Sequence, residues 1–265
     1  MALIEQGRIL VSGAVADKPA RLVAADEPVE LAGPPPRFVG RGGEKLESAL
    51  VRFAVDVTGC RVLDAGASTG GFTDCLLQAG AAAVFAVDVG RGQLHQRLRS
   101  DRRVTSLERL DIREVTLDTV GGRPVEAVTA DLSFISVVRA IPVLVGDVAV
   151  PGAPVVILVK PQFEAGRAEA SRGKGVIRDP AIHRRTLGEV AGALDSAGAV
   201  IMGAMPSPIT GPAGNIEFLL YARTDARTDA RSPAGPRGRG ADQPRPDYRH
   251  LLDAAVDEAH SDGGG

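Results

Sequence analysis

Residues 61–72 read RVLDAGASTGGF. The stretch starts as a short apolar strand, passes through glycines and small residues, and enters a helix pattern at Gly70. Glycine lets a backbone turn sharply and come close to a ligand. A helix that starts there aims its first amide N–H groups back at that ligand. A second strand pattern ends in Asp88, near where an α/β nucleotide fold sets an acid against a ribose hydroxyl pair. Gly66 and Gly70 stand four apart, unlike the G-x-G-x-x-G of dinucleotide folds, and no Gly-Lys-Ser/Thr of a P-loop follows. The stretch therefore reads as an S-adenosylmethionine loop. Asp64, Gly66, Ala67, Ser68, Thr69, Gly70 and Phe72 surround the methyl donor, and Asp88 meets its ribose. A plain turn after a strand is the alternative.

Outward from the loop, apolar strand patterns at 60–64, 82–88, 103–107, 125–130 and 154–159 alternate with helix patterns near 70–79, 93–99, 112–118 and 134–145. Such alternation implies right-handed crossovers and a parallel sheet with helices on both faces. A helix over 182–197 and strands over 200–205 and 215–221 close the pattern. No crossover helix separates the last two strands, so they pair antiparallel, an ending that suits a class I methyltransferase sheet of Rossmann-like kind. Upstream, a helix over 44–53 carries Leu46, Ala49, Leu50 and Phe53 at helical spacing. The run Gly33-Pro34-Pro35-Pro36 is a stiff linker. Residues 2–31 before it hold a short helix and a few short strands, too little for an independent core.

Charged residues close several of these elements. Asp131 ends the apolar strand at 125–130, and Lys160 ends the one at 154–159. In a parallel sheet both strand ends face the crevice of the glycine loop. Glu217 lies among Ile216, Phe218 and Leu219, where an acid is costly unless paired. Lys45 is the natural source of a second cation, although its own helix alone reads it as a solvated surface lysine. Together the four make a Lys-Asp-Lys-Glu cluster of balanced charge. Asp111 either meets the adenine amino group of the donor or caps the helix that follows it.

The totals narrow the class. The 265 residues are 44% hydrophobic but only 3% aromatic, without tryptophan, so a broad base-stacking platform is not expected. Cys60 and Cys75 form no metal-ligand pattern and no expected disulfide; with no leader or spanning run, the expectation is a cytoplasmic protein without a metal. Net charge is −2. Six arginines and eight acids lie from Thr224 onward, leaving 25 basic and 25 acidic residues before it. An RNA surface must then come from local clusters: Arg91, Arg97, Arg99, Arg102 and Arg103 in one run, and Arg167, Arg172, Lys174, Arg178, Arg184 and Arg185 in another. Solvated surface charge is the competing reading for each. Residues 224–265, rich in Pro, Gly, Arg and Asp, read as a disordered tail; a transient helix near 247–259 is assigned no role.

Six stretches carry a family resemblance: RGGEKLE (41–47), DAGASTGGF (64–72), AVDVGRGQ (86–93), DLSFIS (131–136), VKPQFEAG (159–166) and PSPITGPAGNIEF (206–218). Over residues 37–222 the chain resembles the TlyA family of ribosomal RNA 2′-O-methyltransferases, once called haemolysins and related to the FtsJ-type enzymes. The resemblance implies a catalytic tetrad of Lys45, Asp131, Lys160 and Glu217, in which Lys160 steers the ribose hydroxyl and either takes its proton or only orients it. It also implies S-adenosylmethionine on the 66–70 loop, and cytidines of 16S or 23S rRNA in ribosomal subunits as substrate. Residues 1–33 resemble the second half of an S4 RNA-binding domain, whose usual opening helices are mostly missing. The expected organisation is then a partial S4-like segment (1–33), a linker (34–43), a methyltransferase domain (44–223) and a tail (224–265). A membrane-active lysin would need an amphipathic or spanning segment, and none is visible. A ribosome-assembly factor with secondary catalysis is the other rival.

Overall fold

The computed structural model describes residues 2–5, 8–16, 18–33, 36–166, 169, 171, 173, 175–225 and 247–261. The chain forms two compact units, Met1–Arg37 and Phe38–Gly265. In the first, a helical turn α1 (Ala2–Glu5) precedes β1 (Ile9–Val11), β2 (Ala14–Val15) and β3 (Val29–Leu31). These strands pair antiparallel in the order β2-β1-β3. Ser12 and Gly13, both at positive φ, make the tight turn between β1 and β2, as a two-residue hairpin requires.

The second unit is built on seven strands: β4 (Arg61–Ala65), β5 (Ala83–Asp88), β6 (Val104–Glu108), β7 (Ala127–Ala130), β8 (Pro154–Val159), β9 (Val200–Pro206) and β10 (Phe218–Arg223). They lie in the order β6-β5-β4-β7-β8-β10-β9. The pairs from β6 through β8 are parallel. β10 runs antiparallel to both β8 and β9. The expected antiparallel ending is therefore present, and the last strand inserts between β8 and β9. This is the Rossmann-like class I methyltransferase architecture.

Alternation along the strands builds a core on each face. Val62, Val84, Ala86, Val156, Leu158 and Leu219 pack with Leu46, Ala49 and Leu50 of α2 (Gly42–Arg52) and Leu76 of α3 (Gly71–Gln78). Leu63, Ala65, Phe85, Val87, Val155 and Ile157 face the other way, toward Leu187, Val190 and Leu194 of the helix Pro180–Ser196. Among the described residues, no helix is long and apolar enough to cross a membrane.

Three local expectations need correction. The helix at 112–118 shrinks to a 3₁₀ turn, Ile112–Glu114. The helix at 134–145 breaks into a 3₁₀ turn, Val137–Arg139, and the short helix Ile141–Leu144, the latter with Pro142 in its first turn, where the missing N–H costs nothing. The tail is not structureless throughout. Arg249–Ser261 is a helix that buries Leu252, Ala255 and Val256 in the core beside Leu187 and Val190. Arg184 pairs with Asp253 and Asp257, and Arg52 with Glu258. The helix read near 247–259 is thus a packed element and not a transient one, its apolar stripe LLDAAVDEA turned to the core. Residues 226–246 and 262–265 of the expected tail lie outside the described residues.

Candidate active site

Strand order reverses between β4 and β7, and ligands of open α/β sheets bind outside such a point at the carboxyl ends of the strands. The 66–70 loop follows β4, Asp88 ends β5, Asp131 follows β7 and Lys160 follows β8. Glu217 immediately precedes β10 rather than lying within it. The antiparallel register Phe218↔Val159 sets it beside Lys160, at the same edge.

At Gly66, with φ of 85°, a Cβ would meet the Asp131 carbonyl oxygen at 2.4 Å. Only glycine lets the loop press this closely on the chain leaving β7. Beyond it, Ser68 N donates to Asp88 Oδ2 at 2.8 Å and Gly90 N to Asp88 Oδ1 at 2.7 Å. Asp88 thus ties the loop to the end of β5.

Two cavities open at this edge. The larger, about 450 Å³, is lined by Lys45, Asp131, Lys160 and Glu217, and by Gly66, Ala67, Ser68, Thr69 and Phe72. The smaller, about 320 Å³, runs past Asp88 and Asp111 between the apolar walls of Val87, Leu110, Ile112, Leu132 and Ile135. They meet at Gly66, Ser68, Asp131, Ser133 and Phe134, which border both. Their sizes fall within the usual range of ligand pockets, roughly 300–1,000 Å³.

The four charged residues resolve into two ion pairs. Lys45 Nζ lies 2.5 Å from Glu217 Oε2, and Lys160 Nζ 2.5 Å from Asp131 Oδ1. Lys45 is only 6% exposed, which removes the surface-lysine reading. Lys160 also donates to Ser133 Oγ at 2.8 Å, and Gln162 Nε2 to Glu217 Oε1 at 3.3 Å. Sites of this kind keep buried charges only when they are paired.

Two expected donor contacts are not at the cavities. Asp64 is fully buried, accepting from Thr73 Oγ1 at 2.6 Å and Thr129 Oγ1 at 3.1 Å. Burial pushes its carboxyl up to about 7, against the pull of the two hydroxyls. It braces β4 to α3 and β7 from beneath. Gly70, at φ of 99°, begins α3 and presses on the Leu94 and Leu98 side chains. Asp111 meets the capping reading. It caps the following turn through Arg113 N at 2.9 Å, and it lines the smaller cavity. Its bonds to Arg113 hold its carboxyl at about 2.

The basic runs are largely neutralised. Arg97 pairs with Asp74, Arg99 with Glu108 and Arg103 with Asp101. Arg185 pairs with Glu169 and Glu189, and Arg184 with the C-terminal helix. Arg167, Arg172 and Lys174 lie outside the described residues. Among the described residues, Arg91, Arg102 and Arg178 are exposed without a carboxylate partner.

Several site residues had no role assigned from sequence. Phe134 is 88% exposed with φ of 68°, and its ring lies 5.4 Å from that of Phe163. Arg41 Nη2 donates to Thr210 O at 2.9 Å at the rim of the larger cavity. Asn215 ties the same loop to residues 175–177, accepting from Ile177 N and donating to Gly175 O, each at 2.9 Å. The DLSF and KPQF runs, each directly after an apolar strand, were the available signal for Ser133, Phe134, Gln162 and Phe163.

A profile of the FtsJ-like methyltransferase family matches residues 38–224. A Mycobacterium tuberculosis protein named 16S/23S rRNA (cytidine-2'-O)-methyltransferase TlyA is 46% identical over 223 residues, 84% of this chain and 82% of that one. A solved Streptococcus thermophilus structure bearing a hemolysin description shares 36% identity, with a TM-score of 0.80 over 98% of this chain and 88% of that chain. The solved S-adenosylmethionine-dependent methyltransferase of Mesorhizobium loti, 20% identical, superposes with a TM-score of 0.51 over 69% of this chain and 100% of its own, a likeness of fold.

Proposed function

The chain belongs to the TlyA group of FtsJ-like methyltransferases, and from that premise we propose that it methylates a ribose 2′-hydroxyl of ribosomal RNA, using S-adenosylmethionine. The observation that carries the reading is the pair of cavities meeting at Asp131, with the buried pair Lys45–Glu217 and the partly buried pair Lys160–Asp131 lining the larger.

The smaller cavity fits the donor. Its apolar walls suit an adenine ring, Asp111 suits the adenine amino group, and Asp88 retains acceptor capacity for ribose hydroxyls beyond its two backbone donors. The loop residues Gly66 and Ser68, which border both cavities, lie where the donor would reach the acceptor. When bound, S-adenosylmethionine supplies an electrophilic methyl on a sulfonium leaving group.

The larger cavity takes the acceptor nucleotide, so Ala67, Thr69 and Phe72, expected against the donor, line the acceptor side instead. Lys160 presents ammonium donors to the hydroxyl oxygen and so holds it in line. Asp131, next to Lys160, holds the hydroxyl proton. Lys45 and Glu217 keep the neighbouring part of the lining charged but neutral overall, with Gln162 fixing the carboxylate. Alignment of two bound substrates is the larger part of such catalysis. Phe134, exposed at the junction of the cavities, offers a ring face to a base swung out of its stack. RNA docking is assigned to the partner-free arginines Arg91, Arg102 and Arg178. The relative's printed substrate makes a cytidine in 16S or 23S rRNA the expected target.

The test is incubation of purified protein with methyl-labelled S-adenosylmethionine and isolated ribosomal subunits, followed by nucleoside analysis. Label in 2′-O-methylcytidine supports the reading; label on a base, or on protein alone, overturns it.

A further inference from the structure

Glu164 ends the short helix Pro161–Glu164 and borders neither cavity. Its Oε2 accepts from Ser136 Oγ at 2.6 Å and its Oε1 from Val137 N at 2.9 Å. Burial pushes its carboxyl above the ordinary range, while these two bonds pull it down. A solvated acid at a helix end would show neither effect.

The bonds close a loop. Residues 131–136 leave β7 at Asp131, whose amide donates to Ala65 O at 2.8 Å. The loop is then gripped along its length by residues 160–164. Lys160 contacts Asp131 and Ser133, Phe163 contacts Phe134, and Glu164 holds Ser136 and Val137. Within this span Phe134 sits at φ of 68°, a conformation that persists only where surroundings impose it. Asp131, Ser133 and Phe134 border both cavities, and Leu132 and Ile135 the smaller one.

We propose that Glu164 is a positioning residue for methyl transfer, fixing the 131–136 loop so that Phe134 and Asp131 face the acceptor while the same loop walls the donor cavity. The proposal rests on the reading of the two cavities given above. Glu164 touches no reacting group; it acts through the loop.

The experiment compares wild-type full-length protein with Glu164→Ala, Glu164→Gln, Phe134→Ala and Phe134→Ala/Glu164→Ala. It measures kcat on ribosomal subunits, S-adenosylhomocysteine affinity by calorimetry, and the melting transition. Glu164→Ala is expected to lower kcat about tenfold or more and to weaken S-adenosylhomocysteine several-fold. Glu164→Gln, which keeps one acceptor oxygen, is expected to recover part of both. The double variant is expected to be no slower than Phe134→Ala alone, because residues acting through one element are non-additive. The proposal is overturned if Glu164→Ala stays within twofold of wild type in both readouts, or if the losses in the double variant multiply. Should Glu164→Ala not fold, Glu164→Gln decides: wild-type values in both readouts overturn the proposal, and reduced values with an unchanged melting transition support it. If wild-type protein methylates no subunit, the acceptor reading fails, and S-adenosylhomocysteine affinity still decides the role of Glu164.

Discussion

Lys45 and Glu217, 172 positions apart, meet as a buried ion pair of 2.5 Å. Glu217 is 2% exposed, and its second oxygen accepts from Gln162. Removing one partner of such a pair strands the other charge. Lys45→Ala is expected to cost about 3–5 kcal/mol of stability in urea unfolding. Replacing both residues together, Lys45→Met with Glu217→Leu, is expected to regain most of that loss while leaving methyl transfer abolished. A double variant as unstable as the single one would show that the pair's hydrogen-bonding surroundings, and not the stranded charge, set the cost.

Phe134 combines an exposed ring with a backbone conformation that favours glycine. Phe134→Gly is expected to leave stability unchanged or raise it by about 1 kcal/mol, since little buried surface is lost. Turnover on rRNA should fall at least tenfold. Paired unfolding and kinetic measurements test this; a large loss of stability would mean that the ring supports the loop more than its exposure indicates.

Asp64 predicts a pH dependence. Its folded carboxyl is raised to about 7 from an ordinary 3.8. Between those values the folded state binds more protons than the unfolded state, so stability from this group is full below about pH 4 and is lost as pH rises through about 7. Asp64→Asn removes the titration. The stability of wild type relative to Asp64→Asn should therefore decline from pH 4 to pH 8, by an amount on the order of 4 kcal/mol. Unfolding curves at several pH values check it, and a flat difference would place the carboxyl near its unperturbed range.

The arginines separate into paired and partner-free sets. Arg91→Ala and Arg102→Ala should each weaken RNA binding and lower the slope of log affinity against log salt by about 1. Arg99→Ala and Arg103→Ala should change that slope little, because Glu108 and Asp101 already neutralise them. Equal slopes for all four variants would contradict the division.

How much of this was legible in the sequence follows from locality. Asp131 and Lys160 were visible because a charge closes an apolar strand, and Glu217 because an acid stands among apolar residues at the start of one. The parallel sheet and its antiparallel end followed from element alternation and one missing crossover. Lys45 could be found only through the cluster it joins, since its own helix leaves it beside the buried stripe. Asp64 looked like a ligand contact because the loop pattern does not say which way an alternating side chain faces; Thr129, 65 positions away, decides it. Some arginines of the runs looked free because their neutralising carboxylates are distant in sequence, as with Arg97 and Asp74 or Arg184 and Asp257, while Arg103 and Arg185 have local partners in Asp101 and Glu189. The strain at Phe134 is a property of a loop gripped by a neighbouring one and leaves no mark in composition.

The central claim is that the Lys160–Asp131 pair acts on the acceptor hydroxyl while the donor is held elsewhere. Its most direct test is single-turnover methyl transfer to ribosomal subunits by Lys160→Ala, with S-adenosylhomocysteine affinity measured on the same preparation. The account predicts a fall in transfer of about a hundredfold or more with affinity within about threefold of wild type. Transfer near the wild-type rate would contradict it.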